Sequence, residues 1–166
     1  ETITLTATAS SPPAAGEFSI GADSAATAAN LQAALTAQIG SLARTALSAA
    51  SALAAADNFF NIDTANPPLR VAGPPFDTAT ALVAGTDADT VTWYIGEAGS
   101  QPARTTATAK VDQSISVQYG TRANEEGIRW QVQNVAALAA ISMIDTDPDS
   151  SARAAALTSR LRTAFD

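Results

Sequence analysis

The sequence predicts an α+β fold, with a small, mostly antiparallel sheet and an alanine-rich helix pair, followed by a C-terminal helical hairpin or rod segment. Three observations predict it. Short runs alternate apolar and polar residues, as half-buried strands do. Longer runs repeat apolar residues every three or four positions, as helices do, most clearly over residues 128–141. Clusters of Gly, Pro, Ser and Asp separate these runs and predict turns.

Composition predicts a thin core and excludes several classes of function. The 166-residue chain is 46% hydrophobic but only 5% aromatic, and it contains 40 alanines, so helices must pack closely. The net charge is −7, with one lysine (Lys110) and eight scattered arginines, so we expect no nucleic-acid partner. The longest apolar run, residues 135–144, is shorter than the roughly 20 residues that span a membrane, so we expect no membrane partner.

The chain begins with a predicted strand pair. Residues 2–9 alternate, with Ile3 and Leu5 on one face and threonines on the other. A turn cluster at 10–16 precedes a second short strand at 17–20. Because consecutive strands joined by a turn commonly form a hairpin, we expect these two strands to pair antiparallel.

Two alanine-rich helices are predicted next. Asp23 or Ser24 provides a cap for a helix over 25–39, in which Leu31, Leu35 and Ile39 recur every four residues. Gly40 is predicted to end this helix, because glycine favours the left-handed conformation after a helix C-terminus. A second helix is then expected over 42–56.

The middle of the chain contains most of the aromatic residues. A strand is predicted over 58–62, and a second over 91–95, from their β-branched and aromatic content. The proline-rich residues 67–75 are predicted to form a loop or an edge excursion, and 80–83 a short strand. Two interpretations stay open for the aromatic side chains: they form a core, or they line a ligand pocket. The side chains concerned are Phe59, Phe60, Trp93 and Tyr94.

A β-hairpin with a defined register is predicted over residues 105–119. A two-residue loop would place the apolar faces of its strands on opposite sides. A three-residue loop at 112–114 pairs Val111 with Ile115 and Ala109 with Val117, which puts the apolar residues on one face. We therefore predict the three-residue loop.

The long helix that follows has the strongest pattern in the chain. Asn124 or Thr121 is its predicted cap, and Glu125 and Glu126 match the positive end of the helix dipole rather than an acid/base pair. Its apolar face packs either on the sheet of this chain or in a coiled-coil-like rod with other segments, and the pattern allows both. We predict this face as an assembly or packing surface, formed by Ile128, Val132, Val135, Leu138, Ala139 and Ile141.

The polar run 145–150 breaks the preceding helix, and a last helix is predicted over 148–164, with Asp147 as its cap and Pro148 at its first position. Asp145, Asp147 and Asp149 have the spacing of a calcium loop, but the position that needs glycine is Ser150 and the position of the closing glutamate is Ala156. The segment therefore predicts a polar linker with a helix cap, and we expect no metal site.

No catalytic motif is present. The chain contains no histidine and no cysteine, so a serine–histidine pair or a thiolate metal site cannot form. Neither GxSxG nor a phosphate-binding glycine motif occurs. We therefore expect a protein that is not an enzyme and that binds no cofactor or metal.

Three runs give the chain a resemblance to alphaproteobacterial flagellin-type proteins, in particular the hook-associated proteins of the hook–filament junction. They are WYIG at 93–96, ARTTATAKVDQSISVQYG at 103–120 and ANEEGIRWQVQNVAALAA at 123–140. Residues 66–83 and 20–35 add weaker similarity, and together these runs cover most of the chain.

The resemblance implies a structural subunit of the flagellum that is exported without a classical signal peptide and lies outside the cell. Residues 1–122 would form a variable, surface-exposed domain, and residues 123–166 the start of a helical assembly rod, packed on the first domain or separate from it. Its partners would be other flagellar subunits, copies of itself and an export chaperone. The abrupt first strand and last helix fit a fragment that lacks the polymerising helices of such proteins.

Two alternative functions are supported by composition and by the aromatic residues rather than by a family resemblance. A phage tail or virion module is also commonly rich in Ala and Thr and acidic. An extracellular ligand-binding module would use the aromatic residues at 59–60 and 93–94.

Overall fold

The computed structural model describes residues 2–62, 66–86, 88–97, 101–141 and 146–165. It confirms the predicted α+β class. The strands are β1 (Thr6–Thr8), β2 (Glu17–Ser19), β3 (Leu69–Val71), β4 (Leu82–Ala84), β5 (Ala107–Lys110) and β6 (Ser116–Tyr119). The helices are α1 (Ser24–Leu42), a π-helical segment (Ala43–Leu47), α2 (Ser48–Phe60), α3 (Glu126–Ala140) and α4 (Ser150–Phe165), with a 3₁₀ turn at Ala103–Thr106.

The chain divides into two compact units. The first unit contains Glu1–Ser51 and Ile141–Asp166, and the second contains Ala52–Ala140. The predicted boundary at 122/123 lies inside the second unit. The predicted C-terminal segment 123–166 is divided, because α3 belongs to the second unit and α4 to the first.

The alanine-rich region is one continuous helical run, which corrects the prediction of two helices separated at Gly40. Asp23 caps its start as predicted, and its side chain accepts a hydrogen bond from the backbone N–H of Ala26 (2.7 Å). Gly40 remains helical because the residues after it are strong helix formers, and a single glycine costs only about 1 kcal/mol. The run continues through Phe60, so the predicted strand at 58–62 is wrong.

The first strand pair is parallel, not antiparallel as predicted. Thr6 pairs with Glu17 and Thr8 with Ser19. The connection at 9–16 forms a wide loop rather than a tight hairpin turn, and it brings the chain back to the start of β1, where the Thr6 N–H donates to the Gly16 carbonyl (3.0 Å). Gly16 has a φ of 81°, a conformation that glycine adopts without steric cost.

The β5–β6 hairpin confirms the predicted register. Ala109 pairs with Val117, and the Val111 N–H donates to the Ile115 carbonyl (2.9 Å). The loop is therefore 112–114, and the apolar side chains of both strands share one face. The Tyr119–Gly120 end of the hairpin lies against the 3₁₀ turn, where a Cβ on Gly120 would be 2.5 Å from the Ala103 carbonyl oxygen.

The proline-rich region contributes one strand of an antiparallel pair, β3–β4, in which Arg70 faces Val83. Both strands of a two-stranded sheet are edge strands, so this agrees with the prediction that the proline-rich residues form a loop or lie at a sheet edge. The strand predicted over 91–95 is wrong, because none of the strands in the described part of the chain pairs with these residues, and Trp93 instead packs its side chain in the core. β-propensity reflects packing on a pleated surface and does not by itself supply a partner strand.

Each unit has a small core. In the first unit, α4 packs on the π-helical segment, and Ala46, Ala49, Leu157 and Leu161 are buried. In the second unit, the core contains Ala56, Phe60 and Ala137, with Leu53, Phe59, Trp93 and Ala136 packed around it. Alanine faces allow the close helix packing that the composition predicts.

Candidate assembly surfaces

The α3 helix packs with its polar face inward. Its buried residues are Gln133, Asn134 and Ala137. Gln133 donates from Nε2 to a carboxylate oxygen of Asp57 (3.2 Å), and Ala137 is fully buried in the core of the second unit. The Gln133 hydrogen bond and the packing of Ala137 therefore attach this helix to its own unit.

The opposite face of α3 is apolar and exposed. Ile128 is 38% exposed, Val132 42%, Val135 66% and Leu138 36%. The spacing of Ile128, Val132, Val135 and Ala139 alternates between four and three residues, which is the repeat of a coiled-coil seam. We call Ile128, Val132, Val135, Leu138 and Ala139 the α3 stripe. Ile141, which was predicted on this face, is buried in the first unit instead, since α3 ends at Ala140.

A second apolar stripe lies on α1. This helix, which the structure describes in full, has no buried residue. Leu31 is 39% exposed, Leu35 40% and Ile39 53%, and we call these three residues the α1 stripe. The sequence 24–42 contains no charged residue. Charged side chains normally cover the solvent face of a surface helix, so their absence here is a signal for a covered helix that the apolar spacing alone did not reveal.

The four predicted aromatic side chains pack against one another and form a cluster rather than the wall of a ligand pocket. The Phe59 and Phe60 rings meet edge to face with centroids 5.1 Å apart, and the Phe60 and Trp93 centroids are 5.0 Å apart. The Trp93 indole N–H donates to the Phe60 carbonyl (3.1 Å), and the Tyr94 ring is tilted against that of Trp93. These aromatic side chains therefore form part of a core, and the Trp93 indole N–H has the hydrogen-bond partner that a tryptophan usually finds when it is packed inside a protein.

A surface groove of about 430 Å³ lies in the first unit, between α1 and the β1–β2 loop. Its polar groups mainly hold the loop in place. Asn30 donates to the Ser19 carbonyl (2.9 Å), the Ser19 hydroxyl donates to the Ser10 carbonyl (2.7 Å), and Glu17 accepts from the Ala14 N–H (3.2 Å). These contacts fix the loop on the helix and leave few polar groups directed at a ligand.

A charged network connects α4 to the π-helical segment in the first unit. Arg153 donates from Nη2 to Asp147 (2.8 Å) and from Nε to the Arg44 carbonyl (2.8 Å). The Arg44 side chain pairs with Asp149 (2.5 Å). The Asp149 N–H, followed by the Arg153 guanidinium, lowers the pKa of Asp147 below its ordinary value of 3.8.

This network uses the carboxylates that have calcium-loop spacing. Asp147 and Asp149 both pair with arginines, and Asp145 lies outside the described residues. Among the residues that the structure describes, no group of three acidic side chains is arranged to hold a metal ion.

The helical run Ser24–Phe60 is long and apolar enough to cross a membrane by length and composition alone. Its most apolar 18-residue window has a mean hydropathy of 1.2 and is 22% buried. Ser, Thr, Gln and Asn interrupt the alanines of this helix, so the length of its uninterrupted apolar runs does not predict it. Core helices of soluble proteins also have this length and hydropathy, so these two properties do not place the helix in a membrane.

Comparison with protein-family models, curated proteins and solved structures gave no match. A functional proposal therefore depends on the sequence resemblance and on the surfaces described above.

Proposed function

We propose that this chain is a structural subunit of the bacterial flagellum, either flagellin-like or hook-associated, that acts by assembly and not by catalysis. The observation that carries the proposal is the α3 stripe. A coiled-coil repeat that faces solvent while the polar face of the same helix is buried supports a surface intended for another helix.

The energetics favour a covered stripe over an exposed one. Single exposed apolar residues are common on protein surfaces and carry no information. Here at least four large apolar side chains lie contiguously on one face, each 36% exposed or more. Fully burying a Val, Leu or Ile side chain contributes about 1.5–3 kcal/mol, so covering the remaining exposed part of the stripe contributes several kcal/mol to association.

The resemblance supports the identity of the assembly. The run at 123–140, which carries much of the similarity to hook-associated proteins, contains the α3 stripe and the whole of α3. In this proposal the partners are other flagellar subunits or copies of this chain, and an export chaperone before assembly. The location is the extracellular flagellum, reached by export without a classical signal peptide.

Deleting the gene and locating the tagged protein test the proposal. We expect the deletion strain to swim poorly or to carry altered filaments, and an epitope-tagged chain to label the flagellum in immuno-electron microscopy. A complemented strain that regains motility is the control. Normal filaments and normal swimming in the deletion strain would overturn the flagellar assignment. Label on virion particles would instead support the phage alternative.

A further inference from the structure

The π-helical segment Ala43–Leu47 interrupts the helical run Ser24–Phe60. π-Helices are rare and occur mostly as single wide turns inside α-helices. The sequence of the segment, ARTAL, favours an α-helix, since alanine, arginine and leucine are strong α-helix formers and neither glycine nor proline is present. Contacts from outside the segment must therefore hold it in the π conformation.

The Arg44 carbonyl is the group that the π conformation releases from the helix. In a regular α-helix it would accept a hydrogen bond from the N–H of Ser48, four residues later. Here the Ser48 N–H donates to the Thr45 carbonyl, and the Arg44 carbonyl accepts from Nε of Arg153 on α4 (2.8 Å). Insertion of a side chain into the backbone hydrogen bonds is an established cause of irregular helices. The Arg153 guanidinium thus takes the place of the missing backbone donor.

The surroundings of Arg153 fix its guanidinium in this position. The side chain is only 10% exposed, and its Nη2 donates to Asp147 (2.8 Å). Asp147 also accepts from the Asp149 N–H (2.9 Å), and the Asp149 carboxylate pairs with the side chain of Arg44. A return of residues 43–47 to an α-helix would give the Arg44 carbonyl back to the helix and leave the buried Nε–H without this acceptor, which is costly.

We propose that α4 is a clamp that holds residues 43–47 in the π conformation through Arg153, and that the segment becomes α-helical when this contact is broken. A π-type hydrogen bond encloses one residue more than an α-type bond, so the conversion rotates α1 by about 100° about its axis relative to Ser48. Docking of α4 therefore sets the direction in which the α1 stripe faces. This inference does not depend on the flagellar assignment.

NMR of the isotopically labelled full chain tests the clamp, because couplings across hydrogen bonds identify the carbonyl that accepts from each N–H. In the wild-type chain we expect the Arg44 carbonyl to couple to Arg153 Nε and not to the Ser48 amide. Arg153→Met removes the donor and keeps an unbranched side chain, so the Arg44 carbonyl should then couple to the Ser48 amide, as in an α-helix. Arg162→Met is the matched control, since it makes the same substitution at an exposed position of α4 and should leave the pairing unchanged.

Two further variants separate the clamp from other causes of the π conformation. Arg44→Met removes the ion pair with Asp149 but keeps the backbone carbonyl, so the π pairing should persist. Thr45→Val removes the hydroxyl that donates to the Ser41 carbonyl (2.7 Å), a type of contact that bends helices, and it should also leave the pairing unchanged.

Three results would overturn the proposal. The first is a folded Arg153→Met chain in which the Arg44 carbonyl still does not couple to the Ser48 amide. The second is loss of the π pairing in Arg44→Met or Thr45→Val, which would place its cause in the ion pair or in the segment itself. Asp147→Asn weakens the hold on Arg153 at a side chain that is 29% exposed, and it should give a second set of peaks with the α-helical pairing. If Arg153→Met does not fold, a single wild-type set of peaks in Asp147→Asn is the third.

Discussion

Replacing Phe60 by alanine should remove a large part of the stability of the second unit. The side chain is 7% exposed, and its ring meets the rings of Phe59 and Trp93 edge to face. Burial of such a side chain contributes about 2–3 kcal/mol, and each aromatic pair adds about 0.5–1.5 kcal/mol. We therefore expect Phe60→Ala to lower the free energy of unfolding by about 4 kcal/mol, which is within the range of measured Phe→Ala substitutions. Domains of this size are stable by only about 5–15 kcal/mol, so the loss is large.

Urea unfolding followed by tryptophan fluorescence measures this effect, because both tryptophans, Trp93 and Trp130, lie in the second unit. Phe76→Ala is the matched control, since Phe76 is in the same unit and 62% exposed, and a change of less than about 0.5 kcal/mol is expected. A loss of less than about 1 kcal/mol for Phe60→Ala would refute the aromatic core. It would then support a ligand pocket formed by the same residues.

Four further results are expected. Leu157→Ala, at a fully buried position in the first unit, should cost about 3–4 kcal/mol in unfolding followed by far-ultraviolet circular dichroism. Gly120→Ala should cost about 1–3 kcal/mol in the fluorescence assay, because the new Cβ would meet the Ala103 carbonyl oxygen. The pKa of Asp147 is lower in the folded chain than its ordinary value of 3.8. Its contribution to stability is therefore complete above pH 3.8 and is lost as the pH falls through the folded pKa. Asp147→Asn should accordingly flatten the acid side of the curve of Tm against pH. Val135→Glu should change the stability of the monomer by less than about 0.5 kcal/mol, since Val135 is 66% exposed.

Local patterns predicted the elements whose determinants are short in sequence. The hairpin register followed from the requirement that Ala109, Val111, Ile115 and Val117 share a face, and the structure has that register. The Asp23 cap and the presence of α3 and α4 also follow from neighbouring residues. In each case the deciding interactions lie within a few positions along the chain.

The predictions that failed depended on partners far away in sequence. Gly40 can end a helix, but the strong helix formers after it continue the helical run instead. Residues 91–95 have the composition of a strand, yet Trp93 packs on Phe60, 33 positions earlier, and none of the strands that the structure describes pairs with the segment. The direction of β2 relative to β1 depends on the path of the loop, which alternation in either strand does not encode.

The sequence predicted most residues of the α3 stripe, but not whether this face of the helix is buried or exposed. The spacing of Ile128, Val132 and Val135 identified an apolar face, and two interpretations remained open for what covers it. The structure buries Gln133 and Asn134 of the same helix, an arrangement that hydrophobic periodicity cannot predict because it assigns the apolar face to the core.

Incorporation of a labelled chain into flagella tests most directly the proposal that the α3 stripe is an assembly surface. The chain has no cysteine, so Gln113→Cys in the exposed hairpin loop accepts a single fluorescent label. We predict that the labelled chain and its Ala140→Glu variant incorporate equally into flagella, and that Val135→Glu is exported but at least tenfold less incorporated. Equal incorporation of the Val135→Glu variant would contradict the claim.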